Sequence, residues 1–323
     1  MLTDLISNPI ETIKTLLISL PAIFLALSAH EAAHGWVADR CGDPTARLMG
    51  RVTLNPLKHL DPIGFLCMMF AGFGWAKPVP VNPLNYRNYR KDDLRVSLAG
   101  ITANLILFLL AFIIAVSMIT AAYSSVPGFD SMEAYLQHLE DNHLTDENGV
   151  ARENIAAIWK NEDEAFLSLI EEGEKAYVIN PNKLFAETKS VYYSLVAGDV
   201  FKDSSLSSGA YLVSVAWGNA AGIAFQVLLY FIYLNLGLAA FNLIPLPPLD
   251  GYHVLNDLVL KRPLFADIKA QRTASGILIA LILMGNISPR LDVVSIVISF
   301  VRDKILSGAS IVWNSVLSLL NII

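Results

Sequence analysis

Charged residues are scarce in this chain of 323 residues: they make up 16% of the sequence, against 54% apolar residues. A soluble domain carries about a quarter charged residues, so this composition argues against an ordinary cytosolic globule. Cysteine is scarce as well, and Cys41 and Cys67 cannot support a disulfide framework. Six stretches contain no Asp, Glu, Lys or Arg at all: residues 15–30, 62–76, 96–129, 204–249, 273–289 and 305–323.

These uncharged stretches are long enough to cross a membrane. A spanning helix needs about 20 mostly apolar residues, and two of the stretches are clearly longer than that. The sequence therefore predicts an all-α polytopic membrane protein. We predict a first helix over about residues 12–39, a second over 94–122, a third over 219–244 and a fourth from about 273. Residues 292–323 either complete that fourth span and add another helix, or lie in the membrane interface.

Basic residues set the predicted orientation. Residues 40–95 carry nine Lys and Arg against four Asp, which by the positive-inside rule places this segment in the cytoplasm and the N-terminus outside. The first apolar run continues directly into residues 28–34 without a basic n-region, so we do not expect a cleaved signal peptide.

Residues 62–85 are expected to form a re-entrant or interfacial hairpin. The apolar part, residues 62–76, is short and contains three glycines, and residues 74–83 contain three prolines, which a helix interior does not tolerate. The alternative is a full span, which would move the basic residues after it to the outside, against the charge rule.

The chain is predicted to have three parts. Residues 1–123 form the first part of a helical membrane core, and residues 216–323 form the second. Residues 124–215, which lie between these two parts, are predicted to form a small extracytoplasmic insertion. Residues 124–203 contain 16 acidic and 6 basic residues, and their apolar residues recur at helical spacing, so a helical insertion with an acidic surface is expected.

Residues 30–34 form an HExxH motif at the end of the first apolar run. Positions i and i+4 of a helix project from one face, so His30 and His34 can bind one divalent ion. Glu31 is turned away from the ion but is close enough to take a proton from a water that zinc polarises. Ionisable groups within an apolar helix cost about 2.5–3.5 kcal/mol, so chance explains this motif poorly.

Asp250 is the best candidate for a third ligand. It lies in the sequence NLIPLPPLDG (residues 242–251), whose three prolines interrupt the third helix and can aim a carboxylate into the bundle. The predicted topology places it at the same depth as the two histidines. An ordinary Asp-Gly turn is the alternative, but the HExxH motif favours a ligand. His253 as a fourth ligand would close the open position that a catalytic zinc needs, so we expect an interfacial histidine instead.

These two motifs together resemble the site-2 protease family of intramembrane zinc metalloproteases, peptidase family M50. The likeness is closest to the short prokaryotic members without a PDZ or CBS domain. Residues 43–56, GWAKPVPVNP at 74–83 and AGITAN at 99–104 also match that subgroup. The resemblance covers about residues 20–123 and 219–260, and does not extend to the insertion.

The resemblance implies roles for single residues. It makes His30, His34 and Asp250 the ligands of one Zn²⁺ per chain, and Glu31 the general base. It also draws attention to two amides within apolar helices, and two interpretations of them stay open. Asn104 and Asn242 either contact the substrate backbone or the developing oxyanion, or join helices by hydrogen bonds.

The family often has Gly-Pro-x-x-Asn where this chain has Gly-Ile-Thr-Ala-Asn at residues 100–104. The missing proline leaves the local kink of the helix in question, although Asn104 remains.

The predicted function is therefore zinc-dependent endopeptidase activity in or near transmembrane helices, as in regulated intramembrane proteolysis. Transmembrane protein substrates and the lipid bilayer are the expected partners, no nucleic acid is expected, and the oligomeric state is left open. The cell membrane is the expected location, with the active site toward the cytoplasm. A metal-ion carrier or a non-catalytic scaffold is the alternative. A carrier needs polar sites along a path, and a scaffold has no use for Glu31.

Overall fold

The fold is known from a computed structural model, which describes residues 8–71, 74–125, 128–129, 137, 140–141, 157–159, 169–171, 174–176, 178–179, 210, 213, 217–260, 264–265, 267–287 and 292–319. Its α-helices are α1 (Pro9–Cys41), α2 (Thr45–Leu48), α3 (Pro62–Ala71), α4 (Tyr89–Ser125), α5 (Asn219–Asn242), α6 (Asp250–Leu258), α7 (Ile268–Ile287) and α8 (Val293–Leu319). Two single turns of 3₁₀-helix cover Pro56–Lys58 and Pro83–Asn85.

The long helices agree with the predicted class. Within the described residues, four segments are long and apolar enough to cross a membrane: Thr12–Cys41, Tyr89–Ile119, Asn219–Asn242 and Ile268–Gly285. They lie in α1, α4, α5 and α7, so the prediction of an all-α polytopic membrane protein is confirmed. The fourth span is complete in α7, and α8 is a separate helix of 27 residues. One of the two alternatives was that residues 292–323 complete the fourth span. Residues 292–319 do not do so, because they belong to the separate helix α8 and its start.

The end of α1 is fixed by a glycine and an aspartate. Gly42 has φ 112°, a left-handed conformation that ends the helix, and its N–H donates to the carbonyl of Asp39 at 3.2 Å. The buried carboxylate of Asp43 then accepts from the Asn82 N–H at 2.6 Å and from the Asn85 side chain at 2.8 Å. Burial alone would raise the pKa of Asp43, but its hydrogen bonds lower it. This carboxylate attaches residues 82–85 to the end of α1.

The described residues on the two sides of α3 lie next to each other, which agrees with the predicted hairpin. Helix α3 has ten residues and is about 15 Å long, which is too short to cross a hydrocarbon core of about 30 Å. An antiparallel bridge joins Leu60 and Ala76, and the Lys77 N–H donates to the His59 carbonyl at 2.8 Å. Gly64 allows the close packing, since a Cβ there would lie 2.2 Å from the Trp75 carbonyl oxygen.

The chain divides into two compact units. The first contains residues Met1–Phe112 and Tyr230–Lys304, and the second contains Ile113–Leu229 and Ile305–Ile323. In the first unit, Leu249, Leu278 and Val294 form a buried apolar cluster around the loop between α5 and α6. The predicted boundaries at residues 123 and 216 stay a prediction.

Five described stretches of the insertion are strands, although the spacing of its apolar residues had predicted helix, whereas the described residues 137, 140–141, 210 and 213 are helical. The strands are β1 (Gly128–Phe129), β2 (Ala157–Trp159), β3 (Leu169–Glu171), β4 (Glu174–Ala176) and β5 (Val178–Ile179). Strands β1, β2 and β5 pair in parallel, and β3 and β4 form an antiparallel pair. The expectation of helix is corrected for these stretches, because apolar runs of two or three residues fit both periods and Ile and Trp favour strands. Most of residues 124–215 lie outside the described residues.

Candidate metal centre

The three predicted ligands come together at one point. The Oδ2 atom of Asp250 lies 3.4 Å from Nε2 of His30 and 3.3 Å from Nε2 of His34. The two Nε2 atoms are 3.0 Å apart, and the rings meet edge to face with centroids 4.6 Å apart. All three donor atoms lie within 4.8 Å of one another, close enough to bind one metal ion. Helix α1 explains the histidine pair, because residues four positions apart lie on the same face.

Helix α4 orients the histidines from the opposite side. The Nδ1–H of His34 donates to the carbonyl oxygen of Val96 at 2.7 Å, which leaves Nε2 with its lone pair toward Asp250. One turn further, Gly100 packs directly against both rings. A Cβ at this position would lie 2.4 Å from Nε2 of His34 and 2.5 Å from Cε1 of His30.

Asp250 lies at the N-terminus of α6. The chain leaves α5 at Asn242 and begins α6 at Asp250, so the proposed ligand is the first residue of a helix. Its carboxylate is favoured there by the helix dipole. Gly251 allows the start of α6 to pack against the backbone at the end of α5, since a Cβ at this position would lie 2.4 Å from the Leu243 carbonyl oxygen.

Glu31 lies beside the ligands and has its own support. Its Oε2 atom accepts a hydrogen bond from the backbone N–H of Val79 at 2.8 Å. The extended segment around Val79 is in turn held by Arg51, which donates to the carbonyls of Lys77 at 2.7 Å and of Pro78 at 3.2 Å. One oxygen of the glutamate is thereby fixed, and the other is available to a water molecule.

The two candidate amides differ in their surroundings. Asn104 is 0% exposed, and neither its amide nitrogen nor its oxygen has a hydrogen-bond partner within the described part of the chain. It lies one turn beyond Gly100 on the same face of α4. The Asn242 side chain instead donates to the carbonyl of Leu238, four residues earlier in its own helix, at 3.0 Å.

A cavity of about 730 Å³ lies between α1, the hairpin, α5 and α8 in the first unit. Its lining is mostly apolar and aromatic and includes Leu27, Phe65, Trp75, Tyr233 and Phe241. It reaches Ser28, which lies two residues before His30 and whose buried hydroxyl has no partner among the described residues.

Several contacts of this site were not predicted from the sequence. The carbonyl of Val96 and the N–H of Val79 are backbone groups, which leave no trace in residue types. Gly100 was noticed only as part of the AGITAN stretch, and its packing against the rings was not foreseen. His253 was expected to be an interfacial histidine, and its Nδ1 atom bonds to Asp93 at 3.0 Å.

Comparisons with known proteins support the same class. The model of peptidase family M50 matches residues 18–284. A Bacillus subtilis (strain 168) protein named "Putative zinc metalloprotease YwhC" is 30% identical over 251 residues, covering 78% of this chain and 72% of that protein. A Mycolicibacterium smegmatis protein named "Putative zinc metalloprotease Rip2" is 29% identical over 108 residues, covering 32% of this chain and 41% of that protein. No solved structure matches the chain.

The predicted family and the predicted metalloprotease class are both confirmed by these matches. The family match includes the part of α1 from residue 18 onward, with the HExxH motif, and the start of α6 with Asp250, so it contains every residue of the candidate metal centre. Because it also spans most of the sequence, the chain belongs to peptidase family M50.

Proposed function

We propose that this protein is a zinc-dependent endopeptidase that cuts membrane proteins within or beside their transmembrane helices. The observation that carries the proposal is the convergence of His30, His34 and Asp250 on one point beside Glu31. These residues come from two helices that are far apart in the sequence.

The donor set fits zinc. Around a tetrahedral zinc with bonds of about 2.0–2.1 Å, neighbouring donor atoms are about 3.3 Å apart. The three donor separations in the site are 3.0, 3.3 and 3.4 Å. Two imidazoles and one carboxylate leave one corner open, as a catalytic zinc requires. We assign His30, His34 and Asp250 as the ligands of one Zn²⁺.

Glu31 is assigned as the general base. Zinc, when bound, polarises the scissile carbonyl and lowers the pKa of water to about 7. Glu31 accepts a proton from the attacking water on the oxygen that Val79 does not bind, and then passes it to the leaving amine nitrogen. The hydrogen bond from the Val79 N–H keeps the carboxylate in this orientation.

Asn104 is the better candidate of the two amides for a contact with the substrate. A fully buried amide without partners is costly, and a substrate carbonyl or the developing oxyanion would satisfy its N–H groups. Asn242 is bonded within its own helix, so we assign it a structural role. Full activity in an Asn104→Ala variant that keeps its zinc would contradict this assignment.

The substrate must be extended at the scissile bond, because a helical carbonyl is already hydrogen-bonded. We propose that the extended segment around Val79 pairs with it by strand addition. Val81 lies two residues beyond Val79, on the edge that Val79 turns toward Glu31, and it forms no backbone hydrogen bond among the described residues. Pairing at this edge would bring the substrate next to the general base.

We also propose that the site faces the cytoplasmic side. Five of the nine basic residues between positions 40 and 95 lie between α1 and α4, and three more lie in the first two turns of α4. The two histidines lie near the C-terminal end of α1, which leads into the residues between α1 and α4. Asp250 follows the C-terminal end of α5.

The decisive experiment compares the full chain with its Glu31→Gln variant. Zinc content and cleavage of a single-span membrane protein are measured for both after purification in detergent. We expect about one zinc per chain in both proteins, and cleavage only in the parent chain. The amide cannot accept a proton, although it can still accept the hydrogen bond from Val79.

The same pair of proteins separates the alternatives. A metal-ion carrier or a scaffold would cleave the substrate in neither protein, and cleavage that persists in Glu31→Gln would contradict the assigned role of Glu31. Asp250→Ala serves as a second variant, and we expect it to lose zinc because it removes one of three ligands. Zinc retained in Asp250→Ala would show that a different residue completes the site.

A further inference from the structure

We propose that Asp93 is a positioning residue of the metal centre, which acts through His253 to fix the helix that carries Asp250. The inference rests on the proposed zinc site and adds a part that the mechanism above does not use. Asp93 is a buried carboxylate, 7% exposed, in the second turn of α4. A buried carboxylate needs polar partners, so its contacts are informative.

Helix α6 presents a polar face toward α4. Asp250, His253 and Asp257 are spaced by three and four residues, which places them on the same side of this nine-residue helix. The first of them is the proposed ligand. Any rotation or shift of α6 therefore moves the Asp250 carboxylate relative to the two histidines.

Helix α4 holds α6 at both ends. Near the start of α6, the Nδ1–H of His253 donates to Oδ2 of Asp93 at 3.0 Å. At its other end, the Arg90 guanidinium donates to the carbonyl of Asp257 at 2.7 Å and to the carbonyl of Leu260 at 3.0 Å. A cation on the last carbonyls of a helix is favourable for the same reason as a C-terminal cap.

The bond between His253 and Asp93 is charge-assisted. It is the largest cause of the raised pKa of His253, and burial acts in the opposite direction. A second carboxylate, that of Asp257, lies close to Asp93. Burial and then the charge of Asp93 raise the pKa of Asp257 to about 6. The charges of His253 and Arg90 act in the opposite direction and lower the pKa of Asp257.

One face of α4 thus supports all three proposed ligands. Asp93, Val96 and Gly100 follow one another at helical spacing. Asp93 holds the helix of Asp250, the Val96 carbonyl orients His34, and Gly100 packs against both histidine rings. Groups behind metal ligands commonly contribute a factor of about 10–100 in metal affinity. We therefore place Asp93 among the groups that determine how tightly the site binds zinc.

The test measures zinc affinity of the purified full chain by competition with a chelator, beside its melting temperature. We expect Asp93→Ala to bind zinc about tenfold more weakly, and Asp93→Asn, which keeps an acceptor oxygen for His253, to recover most of this loss. Asp92→Ala is the matched control. Asp92 is also buried, but it bonds to the Asn88 N–H and to Arg95 near the start of α4. This control should lose thermal stability and keep the zinc affinity of the parent chain.

His253→Ala is the second variant, since its side chain is 48% exposed and its loss should not prevent folding. We expect the same weakening of zinc binding as in Asp93→Ala, and no further loss when both changes are combined. Parental zinc affinity in either single variant, or losses that add, would overturn the positioning role. A parent chain that binds no zinc would instead contradict the proposed function, and the positioning role with it.

Discussion

The two histidines of the HExxH motif rest against a residue that has no side chain. Gly100 places the backbone of α4 in contact with both rings, so that the rings are enclosed between α1 and α4. The carbonyl of Val96, one turn earlier, holds the ring of His34. Close packing and a fixed tautomer restrict the histidines before any ion is bound, which lowers the entropy that binding must remove.

Gly100→Ala should therefore abolish or strongly weaken zinc binding. Its Cβ would lie 2.4 Å from the Nε2 atom of His34, so the ring or the helix has to move. We expect zinc affinity to fall by more than about tenfold, measured by chelator competition.

Gly276→Ala in α7 is the control for that change, because a Cβ there meets no atom within 4 Å. It should leave zinc binding unchanged and stabilise the helix by about 0.5–1 kcal/mol. Equal zinc affinity in the two alanine variants would show that α4 does not constrain the histidines.

Residues 77–82 form an extended segment between the hairpin and α4. Side chains from α1 and from the loop after α1 bind this segment at three places. Arg51 binds the carbonyls of Lys77 and Pro78, Glu31 binds the N–H of Val79, and Asp43 binds the N–H of Asn82. The prolines of the segment cannot donate hydrogen bonds, which explains why side chains and not a neighbouring strand hold it. The segment is therefore rigid while part of one edge stays available.

Val81→Pro tests whether this edge binds the substrate. The change removes one backbone N–H from the edge, and proline is tolerated in edge strands. We expect cleavage of a membrane substrate to fall about fivefold to tenfold, the effect of losing one hydrogen bond of about 1 kcal/mol, with zinc content unchanged. Val81→Ala keeps the N–H and should cleave at nearly the parental rate. If both variants cleave equally well, the substrate does not pair at this position.

The candidate metal centre lies entirely within one compact unit. The proposed ligands, the proposed general base and the α4 face that contacts them all belong to residues Met1–Phe112 and Tyr230–Lys304. The described strands of the insertion belong to the other unit. The insertion therefore contributes none of the residues assigned to zinc binding.

Removing about residues 128–200 should leave zinc content unchanged. If the insertion selects substrates by size at the outer side, the shortened protein will also cleave membrane proteins with larger outer domains. The measurement is cleavage of a series of single-span substrates that differ only in the size of that domain. An unchanged range of substrates with unchanged zinc would show that the insertion does not select substrates.

The membrane class and the chemistry of the site follow from the sequence alone. Long uncharged runs predict spanning helices because the bilayer core excludes charge, and these runs became α1, α4, α5 and α7. The histidine pair of HExxH is likewise local, because the pitch of one helix brings positions i and i+4 together. Strands β2 and β3 show the limit of such reasoning, since short apolar runs are compatible with either period.

The way in which the separate helices meet is set by tertiary packing. Asp250 could be proposed from its prolines and its predicted depth, but its distance of 3.3–3.4 Å from the histidines depends on how α6 packs against α1 and α4. The supports from Val96 and Val79 are backbone groups, which every residue carries, so no sequence pattern marks them. The pairing of Asp93 with His253 joins positions that are 160 residues apart, and only the packing of α4 against α6 determines it.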